Sequence, residues 1–96
     1  VADLSTLLLT PADASALVAD RVRAARRRVG WTQAELARRA GVGVATIGRL
    51  EASGQGQLST LYQVCAALGR LRDFEEVLAV EVPGTLEELR ERRGGR

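Results

Sequence analysis

The most constraining stretch of this chain is Trp31-Thr32-Gln33-Ala34-Glu35-Leu36-Ala37-Arg38-Arg39-Ala40-Gly41, followed at once by Val42 to Glu51. It opens with an N-terminal helix signal. Thr32 is the expected N-cap and Glu35 the third helical residue, so the two predict a capping box, while Trp31 and Leu36 flank them as a hydrophobic staple. Gly41 predicts the left-handed residue that stops the helix and turns the chain. Ile47 and Leu50 then resume an apolar stripe at helical spacing, which predicts a second short helix from Val44 to Ala52 with Gly43 at its cap.

The rest of the chain predicts helices as well. Thr10-Pro11, with Asp13 in the first turn, should open a helix that carries Leu17, Val18, Val22, Ala25 and Val29 on one face and ends at Gly30. After the polar, glycine-punctuated loop Ala52 to Gln57, Ser59 should cap a helix bearing Leu61, Val64, Cys65 and Leu68. Leu71, Phe74, Val77 and Leu78 predict a shorter fifth helix. Val82-Pro83-Gly84 breaks the chain, and Thr85 with Glu88 predicts a final short helix before the tail Arg92 to Arg96. Only three aromatics accompany many Leu, Val and Ala residues, so the core must be aliphatic, which suits packed helices better than a sheet. The expected fold is all-α, with five or six helices: an arm over residues 1–10, a helical domain over 11–80 and a short helix with a basic tail over 81–96.

Several functions are excluded on inventory. The chain has no histidine and a single cysteine, which removes an intramolecular disulfide and leaves neither a metal site nor a nucleophile-base pair to assemble. No enzyme, metal or cofactor is expected. No run is long and apolar enough for a membrane span, and Leu7-Leu8-Leu9 has no basic stretch before it, so a cytoplasmic location is expected.

Charge is unevenly placed. Between Arg21 and Arg49 eight arginines stand against the single acid Glu35, a local charge of +7. Between Asp73 and Glu91 seven acids stand against Arg90, a local charge of −6. A chain with a basic front and an acidic back can meet a polyanion in one orientation. Two short helices hinged at a glycine in the basic half read as a helix-turn-helix, whose second helix lies in a DNA major groove.

With these residues on the page, the chain resembles the Cro/cI-type (XRE) helix-turn-helix proteins, of lambda-repressor-like fold, over roughly Val22 to Leu68. The resemblance rests on Arg26, on Gly30 to Ala37, on Gly41-Val42, Ile47 and Leu50-Glu51, and on Leu68-Gly69. It implies that Gln33 holds a phosphate and that Gly43, Val44, Ala45, Thr46 and Arg49 face the groove. It further implies that Ser53, Gln55 and Gln57 lie in a second phosphate-contacting segment, and that Arg26 and Glu51 form a structural salt bridge. Val44 and Ala45 stand where polar residues are frequent in that family. They can touch a thymine methyl but make no bidentate hydrogen bond, which leaves Arg49 as the residue able to fork onto guanine.

The resemblance implies double-stranded DNA as partner and a homodimer that regulates transcription, most simply as a repressor of its own operon. Phe74, Val77 and Leu78 could either close the monomer core or form the dimer seam, and the seam is the expected role because the aliphatic core between Leu17 and Leu68 is already complete without them. A narrower similarity, in Gly30 to Gln33, Ser59 to Leu61 and the leucine-bearing C-terminal extension, is to HipB-type antitoxins. It implies the alternative of an antitoxin that binds a toxin protein and autoregulates.

Overall fold

Thr10 starts the first helix by a reciprocal exchange. Its hydroxyl accepts from the Asp13 amide, and the Asp13 carboxylate accepts from the Thr10 amide, both at 3.1 Å. Pro11 follows at the first helical position, where its missing N–H is no loss. The computed structural model describes residues 9–80 and Arg90. Its elements are α1 (Pro11–Arg28), α2 (Gln33–Ala40), α3 (Val44–Ser53), α4 (Leu58–Ala67) and a 3₁₀ helix (Leu71–Glu76). Among the described residues there is no strand. The expected helix beginning at Thr85 lies outside the described residues, although Arg90 is helical.

Packing order follows from the apolar stripes. α1 packs on α3, α3 on α2, and α2 on α4, so α2 and α3 sit between the first and fourth helices. Their shared core is Val22, Leu36, Ala37, Ile47, Leu50 and Val64, ringed by half-buried Val18, Trp31, Val42, Leu61 and Leu68. Leu36, Ile47 and Val64 are wholly inaccessible. Truncation of one such leucine or isoleucine to alanine costs about 2–5 kcal/mol, a large share of the margin of a domain this small.

Three details differ from the sequence expectation. Leu17 and Val29 are exposed, and α1 instead turns Val18, Ala19, Val22 and Arg26 inward. The 3.6-residue period leaves room for a stripe shifted by one position, and a buried arginine belongs to the stripe that packs on α3. α4 starts at Leu58 with Gln57 as its cap, because the Leu61 amide already bonds the Gln57 carbonyl; Ser59 lies inside the first turn and caps nothing. The capping box of α2 is half formed. Thr32 accepts from the Glu35 amide at 3.1 Å, but the Glu35 carboxylate is drawn forward onto Arg38 and Arg39, a charge-assisted contact that outcompetes the neutral amide.

Two glycines fix the turns. Gly41 closes α2 in the left-handed region at φ 74°, as its position implied. Gly54 closes α3 at φ 73°, and a Cβ there would lie 2.2 Å from the Ser15 carbonyl oxygen, so the end of α3 meets α1 backbone to backbone.

Candidate nucleic-acid interface

The candidate surface begins at Glu51, on the inner side of α3 and 3% exposed. Its carboxylate accepts from Arg26 Nε at 2.6 Å and from Arg26 Nη2 at 2.9 Å, a two-pronged pairing that fixes the guanidinium plane. Arg26 Nη1 donates onward to the Trp31 carbonyl at 2.9 Å, tying the α1–α2 loop to the same point. Gln33 Nε2 donates to Glu51 Oε1 at 3.0 Å, and Arg23 Nη2 donates to the Glu51 main-chain carbonyl at 2.8 Å. One residue thus joins α1, the loop after it and the start of α2 to α3. Burial alone would push the Glu51 carboxyl up. The hydrogen bonds from Arg26 and Gln33 and the attraction of Arg26 and Arg23 outweigh it and hold the group below its ordinary value. The same hydrogen bonding raises Arg26, against its desolvation.

Glu51, Ile47 and Leu50 occupy the inner face of α3, so the outer face carries Val44, Ala45 and Arg49, all exposed, with Thr46 and Gly48 half-buried at its edges. Gly43 is the exposed N-cap and supplies no side-chain hydrogen bond, leaving amides at the start of α3 open to an acceptor. α4 likewise begins without a side-chain cap, at Gln57. Ser53, Gln55 and Gln57 are exposed in and beside the loop between them, with the Ser53 hydroxyl donating to the Arg49 carbonyl at 3.1 Å. Gln33 is half-buried at the start of α2. One of its amide hydrogens is committed to Glu51, and the other remains for an outside acceptor. Gly48 lies beside it: a Cβ there would be 3.9 Å from Gln33 Oε1.

The basic stretch is less uniform than its charge count implies. Arg26 and Arg23 are turned to Glu51, and Arg23 also pairs with Asp20 at 3.4 Å. Arg38 and Arg39 converge on Glu35, each at 2.5 Å, and Arg39 also lies 4.4 Å over the Trp31 ring. Among the described residues Arg21, Arg27, Arg28 and Arg49 make no ion pair within the chain. Arg28 faces α4 rather than α3, since it lines the groove between α1 and α4. Sequence reasoning missed the Arg23 and Gln33 contacts to Glu51. The available signal was positional: Arg23 precedes Arg26 by three residues and shares its face of α1.

Phe74, Val77 and Leu78 are not buried together. Phe74 is half-buried edge-on to Tyr62, at a centroid distance of 4.9 Å, while Val77 and Leu78 are 58% and 92% exposed. Cys65, expected in the core, is half-buried at the α1–α4 groove, and burial pushes its thiol up.

A short pair of helices joined at Gly41, its second member exposing one face and its first opening at Gln33, defines a helix-turn-helix domain. A family model described as Helix-turn-helix matches residues 22–74, and the chain belongs to that family, in its Cro/cI-type (XRE) branch. This is a DNA-binding family of transcription regulation rather than an enzyme family. No curated protein and no solved structure matches the chain. No helix among the described residues is long and apolar enough to cross a membrane.

Proposed function

We propose that this protein binds duplex DNA sequence-selectively as a two-fold dimer and represses its own transcription unit. The observation that carries the reading is the division of α3 into a locked inner face, centred on Glu51, and an exposed outer face whose longest side chain is Arg49. A helix held rigidly by one face can present the other to a groove at fixed depth. Val44 and Ala45 offer methyl contacts, Thr46 a hydroxyl, and Arg49 the fork that fits guanine O6 and N7. The uncapped amides after Gly43, the second amide hydrogen of Gln33 and the loop bearing Ser53, Gln55 and Gln57 supply neutral donors to phosphates. Two such domains, with recognition helices about 34 Å apart, would read a palindrome one helical turn between half-sites.

Selection of bound sequences from a random duplex pool at defined salt tests this reading. A two-fold symmetric consensus is the expected result, and retention of the pool without enrichment rejects it. Arg49→Ala should relax preference at one base pair per half-site, a loss of about 1–3 kcal/mol confined to that position. A uniform loss over all sequences would make Arg49 a phosphate contact.

A second reading, an antitoxin bound to a toxin protein, is favoured by the exposed Leu71, Val77, Leu78 and Val80, which a partner protein could cover. Isolation of the protein from its source as a stable one-to-one complex with a larger chain would decide for it.

A further inference from the structure

α1 and α4 are both bound to the α2–α3 pair but do not pack closely on each other. A groove of about 610 Å³ lies between them, with Phe74 of the 3₁₀ helix in its wall. Its lining is largely apolar and includes Val18, Val22, Ala25, Leu61 and Leu68. Four charged residues line it too. Arg70 and Asp73 pair with each other at 2.9 Å, whereas Arg21 and Arg28 of α1 make no ion pair among the described residues. The groove is therefore apolar within and positive along α1.

Just past Phe74 the chain presents the converse shape. The Ala79 amide bonds the Glu76 carbonyl at 3.3 Å and closes a turn over residues 76–79. Val77 stands at φ −69°, ψ 120° and Leu78 at φ 56°, the pattern of a type II turn. The third position of such a turn suits glycine, because a Cβ is strained at positive φ. Here it holds a leucine that is 92% exposed. The turn thus sets out an aliphatic knob, flanked by exposed Val77 and Val80 and by exposed Glu76, which makes no ion pair among the described residues.

We propose that Leu78, with Val77 and Val80 beside it, inserts into the α1–α4 groove of a second copy of this chain, whose own turn fills the first copy's groove in return. The inference rests on the two-fold dimer of the proposed function and names what its seam meets. Three observations select a second copy as the occupant. Leu78 stands outside its own groove although Phe74 is in the wall, so knob and groove are both left uncovered within one chain. Glu76 brings a carboxylate to a groove whose unpaired charges are Arg21 and Arg28, the Arg70–Asp73 pair being neutral in itself. Exchange is also self-complementary, so it closes at two copies. Each insertion then counts twice toward the roughly 1,200–2,000 Å² that a stable pair buries. A seam of turn against turn would instead leave both grooves open and bring the two Glu76 carboxylates together.

Two variants act on opposite sides of the contact. Leu78→Gly removes the knob and suits the turn, while Ala25→Trp fills the groove from a half-buried position on α1. In sedimentation equilibrium each should dimerise at least about tenfold more weakly than wild type, with unaltered circular dichroism. An equimolar mixture should associate more tightly than either variant alone, because the open groove of Leu78→Gly can take the intact knob of Ala25→Trp. Cys65, the chain's single cysteine, lines the groove and gives a measurement on the unaltered chain. At about a hundred times the dimer dissociation constant only about a tenth of the copies are single, so a maleimide should alkylate wild type about tenfold more slowly there than at high dilution. Leu78→Gly should show no such slowing over the same concentrations. Ala25→Trp dimerising as tightly as wild type would overturn the exchange and leave the dimer standing. Equal alkylation of single and paired wild-type chains would do the same, even where Ala25→Trp failed to fold. A wild type that stays monomeric at every concentration would overturn the dimer and the exchange together.

Discussion

Glu51 is a buried carboxylate whose partners cannot be removed cheaply. Its carboxylate is out of water and is kept charged by the hydrogen bonds of Arg26 and Gln33 and by the attraction of Arg26 and Arg23. Arg26→Ala would strand that charge in the core, and unfolding in urea should show a loss of about 3–5 kcal/mol. Glu51→Gln should cost less, because the amide remains a partial acceptor, and it should also change the acid limb. The carboxyl is more acidic folded than unfolded, so its stabilisation is fully present above the ordinary value near 4.5 and lost as pH falls through the folded value. Wild type should therefore lose stability over that window more steeply than Glu51→Gln; parallel acid limbs in the two proteins would disprove the linkage. Gln33 acquires a double part. Gln33→Ala should weaken DNA binding evenly across sequences and also lower the melting temperature slightly, because a hydrogen bond to a buried charge is lost with it. At this scale the sequence was partly legible. The Arg26–Glu51 pairing followed from family resemblance, whereas the contribution of Gln33 depends on where the first turn of α2 lies against the end of α3, which no local pattern encodes.

The elements show why capping and turn chemistry are easier to read than packing register. Thr10, Thr32, Gly41 and Gly43 act within three or four residues of themselves, and each marks the helix end that its type suggests. Of the apolar face that spacing gives α1, Val18 and Val22 turn inward while Leu17 and Val29 stay exposed, and α4 is capped two positions before Ser59, because contact between helices decides which part of an apolar face is covered. Glycine likewise has different meanings along α3. Gly54 combines φ 73° with a backbone approach to Ser15 that leaves no space for a Cβ, so Gly54→Ala must both strain the turn and push α1 away. Gly48 has a free neighbourhood, with the nearest atom to an added Cβ at 3.9 Å, inside a helix that gains from alanine. Thermal melts should show Gly54→Ala destabilised by more than about 1 kcal/mol and Gly48→Ala stabilised by about 0.5–1 kcal/mol. If Gly48→Ala binds DNA as wild type does, its glycine serves no close approach to the duplex; lost binding at raised stability would show that the duplex backbone needs that space.

For the whole molecule, the question left by the isolated chain is why apolar residues collect after the 3₁₀ helix. Leu78 combines two unfavourable features: it is 92% exposed, and at φ 56° it holds a left-handed backbone that costs a leucine about 1–2 kcal/mol. Val77 and Val80 beside it are 58% and 71% exposed. None of the three is part of the core around Leu36 and Ile47, and the dimer proposed above would cover them with a second copy of the chain. Phe74, grouped with them on spacing alone, is instead engaged edge-on with Tyr62, which removes it from the centre of such a surface. If the proposed dimer joins through this segment, the double variant Val77→Asp/Leu78→Asp should sediment as a monomer at concentrations where the wild type is expected to sediment as a dimer. Its far-ultraviolet circular dichroism should be unaltered, because the four α-helices keep their packing. On a palindromic duplex its two copies should bind half-sites independently, and the steep, cooperative isotherm expected of the wild type should become shallow. On a single half-site the two proteins should bind alike, since Arg49 and Gln33 lie on other elements. A variant that remains dimeric would move the seam to another face; one that loses half-site binding would show that this segment supports the DNA surface rather than joining two of them.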